Sequence, residues 1–239
     1  MEYDVKVVGG QLVLLSKALL PAVKSDVLDS LLLIQLYADY KADKFGRFKA
    51  WGQSQAEAQV NTKWAHTDTK ASGHMISAQA ETTITALATD YLTTTLRRET
   101  PMPADAVAIA LKAVMQNSSA QAAFVNDVLK TSPVQSSHAV DGTSNIILQV
   151  CVVEPKASMF SVEINLLVGG ALEGNIFVHP IKGEGVIGEV EVTLSRLEMN
   201  SADYKGVRES VLDMIKKLNG NRKVALKVFD ISVPPSAMA

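Results

Sequence analysis

One cysteine stands in 239 residues, so no disulfide can form within the chain and packing has to hold the fold. That residue, Cys151, lies in the apolar run Ile146-Ile147-Leu148-Gln149-Val150-Cys151-Val152-Val153. A small buried thiol is the expectation there, because a nucleophilic thiol needs an electropositive, accessible setting. Charge is balanced, with 23 Lys and Arg against 25 Asp and Glu, and no basic cluster. Phosphate backbones demand a positive surface, so no nucleic-acid partner is expected. Long hydrophobic runs are missing as well. The two most apolar stretches, 12–23 and 27–37, are interrupted by Lys17, Pro21 and Asp29, and neither supplies the roughly 20 apolar residues of a membrane-spanning helix. The opening Met1-Glu2-Tyr3-Asp4 lacks the basic start of a cleaved export signal. The expectation is synthesis in the cytoplasm without a cleavable leader or a transmembrane helix, with export by another route left open.

Catalytic signatures are equally scarce. Gly183-Glu184-Gly185-Val186-Ile187-Gly188 matches the G-x-G-x-x-G fingerprint of dinucleotide-binding loops, but that loop works only where a helix N-terminus follows and supplies donors to the pyrophosphate. Here Val190, Val192 and Leu194 alternate with Glu191 and Thr193, the period of two that marks a strand. The glycines are therefore expected to shape a hairpin connection. His66 and His74 are eight residues apart, about 12 Å along a continuous helix, too far to share one metal. His138 and His179 have no ligand partner in sequence. Glu189 and Glu191 share one side of a strand about 7 Å apart, and the solvated face of a half-covered sheet accounts for them. No G-x-S-x-G elbow nominates a serine. No catalytic, cofactor-binding or metal-binding residue is assigned, no cofactor is implied, no small molecule is identified, and the balance leans away from an enzyme.

What is present is a 47% hydrophobic chain able to bury a sizeable core. Val5, Val7 and Val8 before Gly9-Gly10 read as a strand and turn, and residues 12–20 as either a second strand or a short helix ending at Pro21, with the helix favoured. Ser25 is placed to cap a helix over residues 26–43, whose Val27, Leu28, Leu31, Leu32 and Ile34 form an apolar stripe. Helix is expected to continue through the Gln- and Ala-rich segment towards His66. From Ile76 to Leu96 apolar residues recur at steps of three and four, while the other face carries Thr82, Thr85, Thr89 and Thr93. Pro101-Met102-Pro103 should end that helix, with shorter ones at 104–116 and 119–129, the latter capped by Ser118 or Ser119. Strands are expected at 145–153, 159–168, 175–181, 186–199 and 223–233. A helix at 201–219 would be capped by Ser201 and stopped by Asn219-Gly220.

Helices grouped first and strands second define an α+β protein, a helix-rich N-terminal part (about 1–133) packed on a mainly antiparallel sheet formed by the C-terminal part (about 140–239), in a single domain. Three functional readings follow. The first is a non-enzymatic, self-associating assembly protein, a homo-oligomer whose contacts include Thr82, Thr85, Thr89, Thr93 and the chain ends, because an Ala/Thr/Ser/Gln face is cheaper to desolvate than a Lys/Glu one. The second is a membrane-active, pore-forming-type protein. The order of amphipathic helices followed by strands is broadly similar to that of cytolytic α/β toxins, with no motif shared. Leu14, Leu19, Leu31 and Ile34 mark the segments expected to enter a bilayer, and a membrane is a partner under this reading alone. The third is an enzyme or small-ligand binder whose site no motif reveals.

Overall fold

A computed structural model describes residues 2–96, 105–132, 142–172 and 174–233. In chain order the elements are β1 (Tyr3–Val8), β2 (Gln11–Ser16), α1 (Pro21–Lys41), α2 (Phe48–Asn61), β3 (Trp64–His74), β4 (Glu81–Thr82), α3 (Ile84–Leu96), α4 (Ala106–Gln116), α5 (Ser118–Val128), β5 (Leu129–Ser132), β6 (Thr143–Val153), β7 (Ser158–Gly169), β8 (Ile181–Lys182), β9 (Val190–Met199), α6 (Ser201–Gly220) and β10 (Val228–Ile231). The main sheet runs β10-β1-β2-β6-β7-β9-β3, with β5 also pairing β6. Every pair in it is antiparallel except β2 with β6, where Gln11 to Leu15 lie parallel to Gln149 to Val153. The chain is thus α+β with a mainly antiparallel sheet, and β1, β2 and β3 bring the N-terminal part into that sheet.

Helices cover both faces. On one, α3, α4 and α5 close a core built from Val5, Val7, Leu12, Leu14, Ile146, Leu148, Val150, Val162 and Ile164. On the other, α1 and α6 pack on Val13, Leu15, Val153, Met159 and Leu197, and α2 leans on α1 through Trp51, Ala38 and Ala42. Alternate residues of the same strands feed the two cores, as the pleat requires.

Several sequence expectations need correction. Residues 12–20 are not helical: Gln11–Ser16 is a strand buried along its whole length between β1 and β6. A strand covered on both faces reads as a continuous apolar run, which periodicity cannot tell from a buried helix. Nor does helix reach His66. It ends at Asn61, and Lys63, at φ 65°, reverses the chain into β3. Both His66 and His74 therefore lie on an extended strand, about 26 Å apart at 3.3 Å per residue. Of residues 175–181 only Ile181 is in a strand, because the Asn175 side chain accepts from the Phe177 N–H and closes a turn.

Helix ends moved for local reasons. The helix expected from 26 starts at Pro21, whose fixed φ suits a first turn, without a Ser25 cap. Asn117 and Asn200, each one residue ahead of the expected serines, cap α5 and α6. Gly220 does not turn left-handed. The Asn219 side chain instead bonds both Leu226 N–H and C=O, pinning the segment that leaves the helix. The glycine-rich segment is a 3-10 turn, Gly183–Gly185, with Gly188 at φ 78° before β9. It is not a hairpin, since β8 pairs β4 while β9 pairs β7 and β3. A Cβ on Gly183 would sit 1.9 Å from the Ser77 carbonyl oxygen, so close backbone approach explains that glycine. Residues 101–103, His138 and 234–239, to which roles were assigned above, lie outside the described residues.

Candidate functional site: the sheet and its charge-poor helical cover

The two helical layers differ in how they are attached. On α3, α4 and α5 the charged residues are Asp90, Lys112 and Asp127, whereas α6 alone carries Asp203, Lys205, Arg208, Glu209, Asp213, Lys216 and Lys217. On the α1–α6 side polar ties reach into the protein. Arg208 donates to both oxygens of Asp26, at 2.8 and 2.6 Å, and the Asp26 side chain is only 5% exposed. Arg222 pairs with Asp39, Lys24 with Asp4, and Trp64 Nε1 donates to Ser30 Oγ. The α3–α5 layer is held chiefly by apolar packing, with Phe124 stacked on Phe177 at 5.3 Å. Its few polar ties are Thr85 Oγ1 donating to the Phe177 carbonyl, Tyr91 against His74, and Lys44 Nζ donating to the Asp127 carbonyl. Among the described residues no side-chain ion pair joins it to the rest.

The sheet beneath is two-faced. Under α3–α5 the central strands present Ile146, Leu148, Val150 and Val152 on β6, Val162, Ile164 and Leu166 on β7, and Val190 and Val192 on β9. The opposite face carries a polar band across the strands, set by register: Gln11 beside Gln149, Gln149 beside Glu163, Glu163 beside Thr193, and one step along, Ser161 beside Ser195. These strands are 11, 12 and 10 residues long.

Where α2 crosses the polar band, amides and charges interlock. Gln149 Oε1 accepts from Gln11 and Gln55, and Gln149 Nε2 donates to Gln55 and to Glu163. Loss of hydration pushes the Glu163 carboxyl up to about 7, an effect that nearby Lys44 opposes. Lys44 is 7% exposed, lies 5.0 Å from the Trp51 ring and donates to the Asp127 and Ile147 carbonyls. Its burial lowers the ammonium to about 8. Sequence reasoning missed this junction. The available signal was a lone Gln149 inside an apolar run and a lone Glu163 between Val162 and Ile164, since a polar residue within a core-forming strand is more informative than an apolar one.

The residues singled out from sequence fall in different places. Thr82, Thr85, Thr89 and Thr93 are each partly buried. Thr82 pairs with Ile181 and Thr85 is engaged by Phe177, while the Thr89 and Thr93 hydroxyl oxygens are buried without a partner among the described residues. Leu14 lies under α3–α5, but Leu19, Leu31 and Ile34 belong to the opposite core, so no single face unites the four. Cys151 is buried, and desolvation pushes its thiol up to about 12. Glu189 and Glu191 are exposed, the latter accepting from Asn165. Among the described residues, no three His, Cys, Asp or Glu come together as metal ligands, and no helix is long and apolar enough to cross a membrane.

No protein-family model matches the chain, and no curated protein matches it. Among solved structures it is similar to a delta-endotoxin, at 11% identity over 83% of this chain and 89% of the other, with a TM-score of 0.45. The activated Cyt2Ba monomer from Bacillus thuringiensis subsp. israelensis is 6% identical over 83% and 98%, at 0.45. The Evf virulence factor is 6% identical over 96% and 91%, at 0.40. At such scores the likeness lies in coarse arrangement, and the functional reading rests on the chain's own geometry.

Proposed function

We propose that this is a membrane-active protein in which the α3–α5 layer leaves the sheet at a bilayer and the apolar face of β6, β7 and β9 turns to hydrocarbon. One observation carries the reading: among the described residues, the helical cover with the fewest charges and no ion pair to the body lies over the sheet face that is apolar across β6, β7 and residues 190–194 of β9, with Arg196 and Glu198 at the margin of that face. In water that arrangement is stable because it removes apolar surface from solvent. At a bilayer, lipid chains serve the same purpose for both surfaces, and separation strands few charges.

Strand length and polarity agree. A membrane-spanning strand takes about 9–11 residues and alternates apolar-out with polar-in. β6, β7 and β9 meet that length and place Gln149, Glu163, Ser161 and Thr193 on the side away from lipid. Arg196 and Glu198 at the end of β9, and Asp68 and Lys70 of β3, share the side of Leu194 and stay outside this apolar band. A sheet in hydrocarbon must also close its open ladders. The outer edge of β3 has no partner among the described residues, so the open form is an assembly of several copies, which brings self-association into the same reading.

Release of an entrapped dye from phosphatidylcholine/phosphatidylglycerol vesicles tests it. Leakage at submicromolar protein is the expected result, and intact vesicles across lipid compositions and pH would sink the proposal.

A further inference from the structure

A cleft of about 400 Å³ opens between α2 and the polar band of the sheet, within the range of ligand sites. Its floor holds a set of groups with nothing to bond. The Ser161, Thr193 and Ser195 hydroxyls have no partner among the described residues, and Glu163 uses only Oε2, which accepts from Gln149. Glu163 stands directly across from Thr193, and Ser161 from Ser195, so the groups form a two-by-two patch about 5 Å across the strands and about 7 Å along them. Gln53 and Phe48 face them from α2. The floor is not loose: Gln149 and Gln55, bonded to each other and to Gln11, hold the amides behind it in one orientation.

We propose that this cleft binds a neutral polyhydroxylated ligand, a glycan, while α2 is docked on the sheet. Vicinal hydroxyls are the groups that can donate to a carboxylate and accept from an amide at once. A floor that alternates carboxylate, hydroxyl and amide matches such a ligand point for point. Other classes fit less well. Phosphate would meet the carboxylate of Glu163, and Lys49 is the single Lys or Arg among the described lining residues, since Lys44 is buried and donates to the Asp127 and Ile147 carbonyls. A flat base would find Phe48, while the second ring in the lining, His66, is already held by Gln59 and Thr69. The face of a pyranose carries C–H groups that can lie on the Phe48 ring while its rim reaches the patch. The inference goes beyond the membrane reading and does not need it, since the cleft exists in the closed form and is lost if α2 moves.

The test uses the intact chain on a panel of immobilised neutral mono- and oligosaccharides, with hits titrated by calorimetry. The expected result is a hit whose affinity falls at least tenfold in Glu163→Gln and in Ser195→Ala, and whose deoxy analogue binds comparably weakly, because a site built for hydroxyls rejects a ligand lacking them. Ser195 is half-exposed, so its variant keeps the fold, which near-UV circular dichroism verifies. A hit should also raise Tm, since it binds only the folded form. Vesicles bearing the hit as a glycolipid headgroup, compared with the free sugar, identify its source, and binding in either arm supports the proposal. Absence of binding up to about 10 mM sugar, equal affinity in both variants, or preference for inorganic phosphate would overturn it. Leakage from glycan-free vesicles reports on the membrane reading alone, so the two can fail separately.

Discussion

At the residue scale the sheet carries a titratable group in an uncommon state. Glu163 rises from an ordinary 4.5 to about 7 because burial disfavours its charge. The folded chain therefore holds the proton more tightly than the unfolded one. The stabilisation is complete below about pH 4.5 and is lost as pH climbs through about 7, a change on the order of 3 kcal/mol. Lys44, lowered to about 8, acts in a higher window, and stability recovers between about 8 and its ordinary value of 10.5 as the unfolded chain alone remains charged. Glu163→Gln mimics the protonated acid. It should match the parent in Tm at pH 5 and exceed it at pH 8, and an equal difference at both values would refute the assignment. Phe124, fully buried against Phe177, serves the other face. Phe124→Ala should cost about 3–5 kcal/mol in chemical denaturation and, by loosening α5, speed dye release.

At the element scale the contrast between layers makes a sharper prediction. A short bis-maleimide joining Tyr91→Cys and His74→Cys, whose parent rings touch at 5.7 Å, would tie α3 to β3. Leakage should vanish in the linked protein and persist in the same variant left unlinked. If linking changes nothing, α3 does not leave. Legibility in sequence divides along the same elements. The amphipathic α6 and the long strands β6, β7 and β9 were readable because their periods are sustained, and α1 because its apolar run is too long for a strand. β2 was taken for helix because a strand buried on both faces has no period to read. β3 was missed because Trp64 is its one buried residue, and a polar edge strand fixed by pairing with β9 leaves no hydrophobic alternation. The Gln149–Glu163 junction depends on cross-strand register, which no local window contains.

For the whole molecule, the question is whether the protein opens by layers or unfolds. Both tryptophans belong to the α1–α2–α6 side, Trp51 fully buried and Trp64 2% exposed. If only α3–α5 departs, tryptophan emission should stay at its buried, short-wavelength position during vesicle leakage, with near-ultraviolet tyrosine signals changing through Tyr91. A red shift to the wavelength of the unfolded chain would mean general collapse and would contradict a layered opening. Antiparallel strands along β6, β7 and β9 were expected from short connections, and the helical cover on both faces was not, because a sequence states how many apolar stripes exist and not which face receives them.

The lone parallel pair in the sheet also governs when this protein can come into being. β2 lies beside β6, so Gln11 meets Gln149 across 138 residues of chain, and β1 is closed by β10, Val5 pairing with Ile231. During synthesis the first hairpin emerges with no sheet to join, and it waits until β6 and then β10 have left the ribosome. Such non-local pairing makes folding slow and holds apolar strands exposed in the interval. A nascent or truncated chain that stops short of β10 thus lacks the finished sheet, and its apolar strands stay open until the late pairings form.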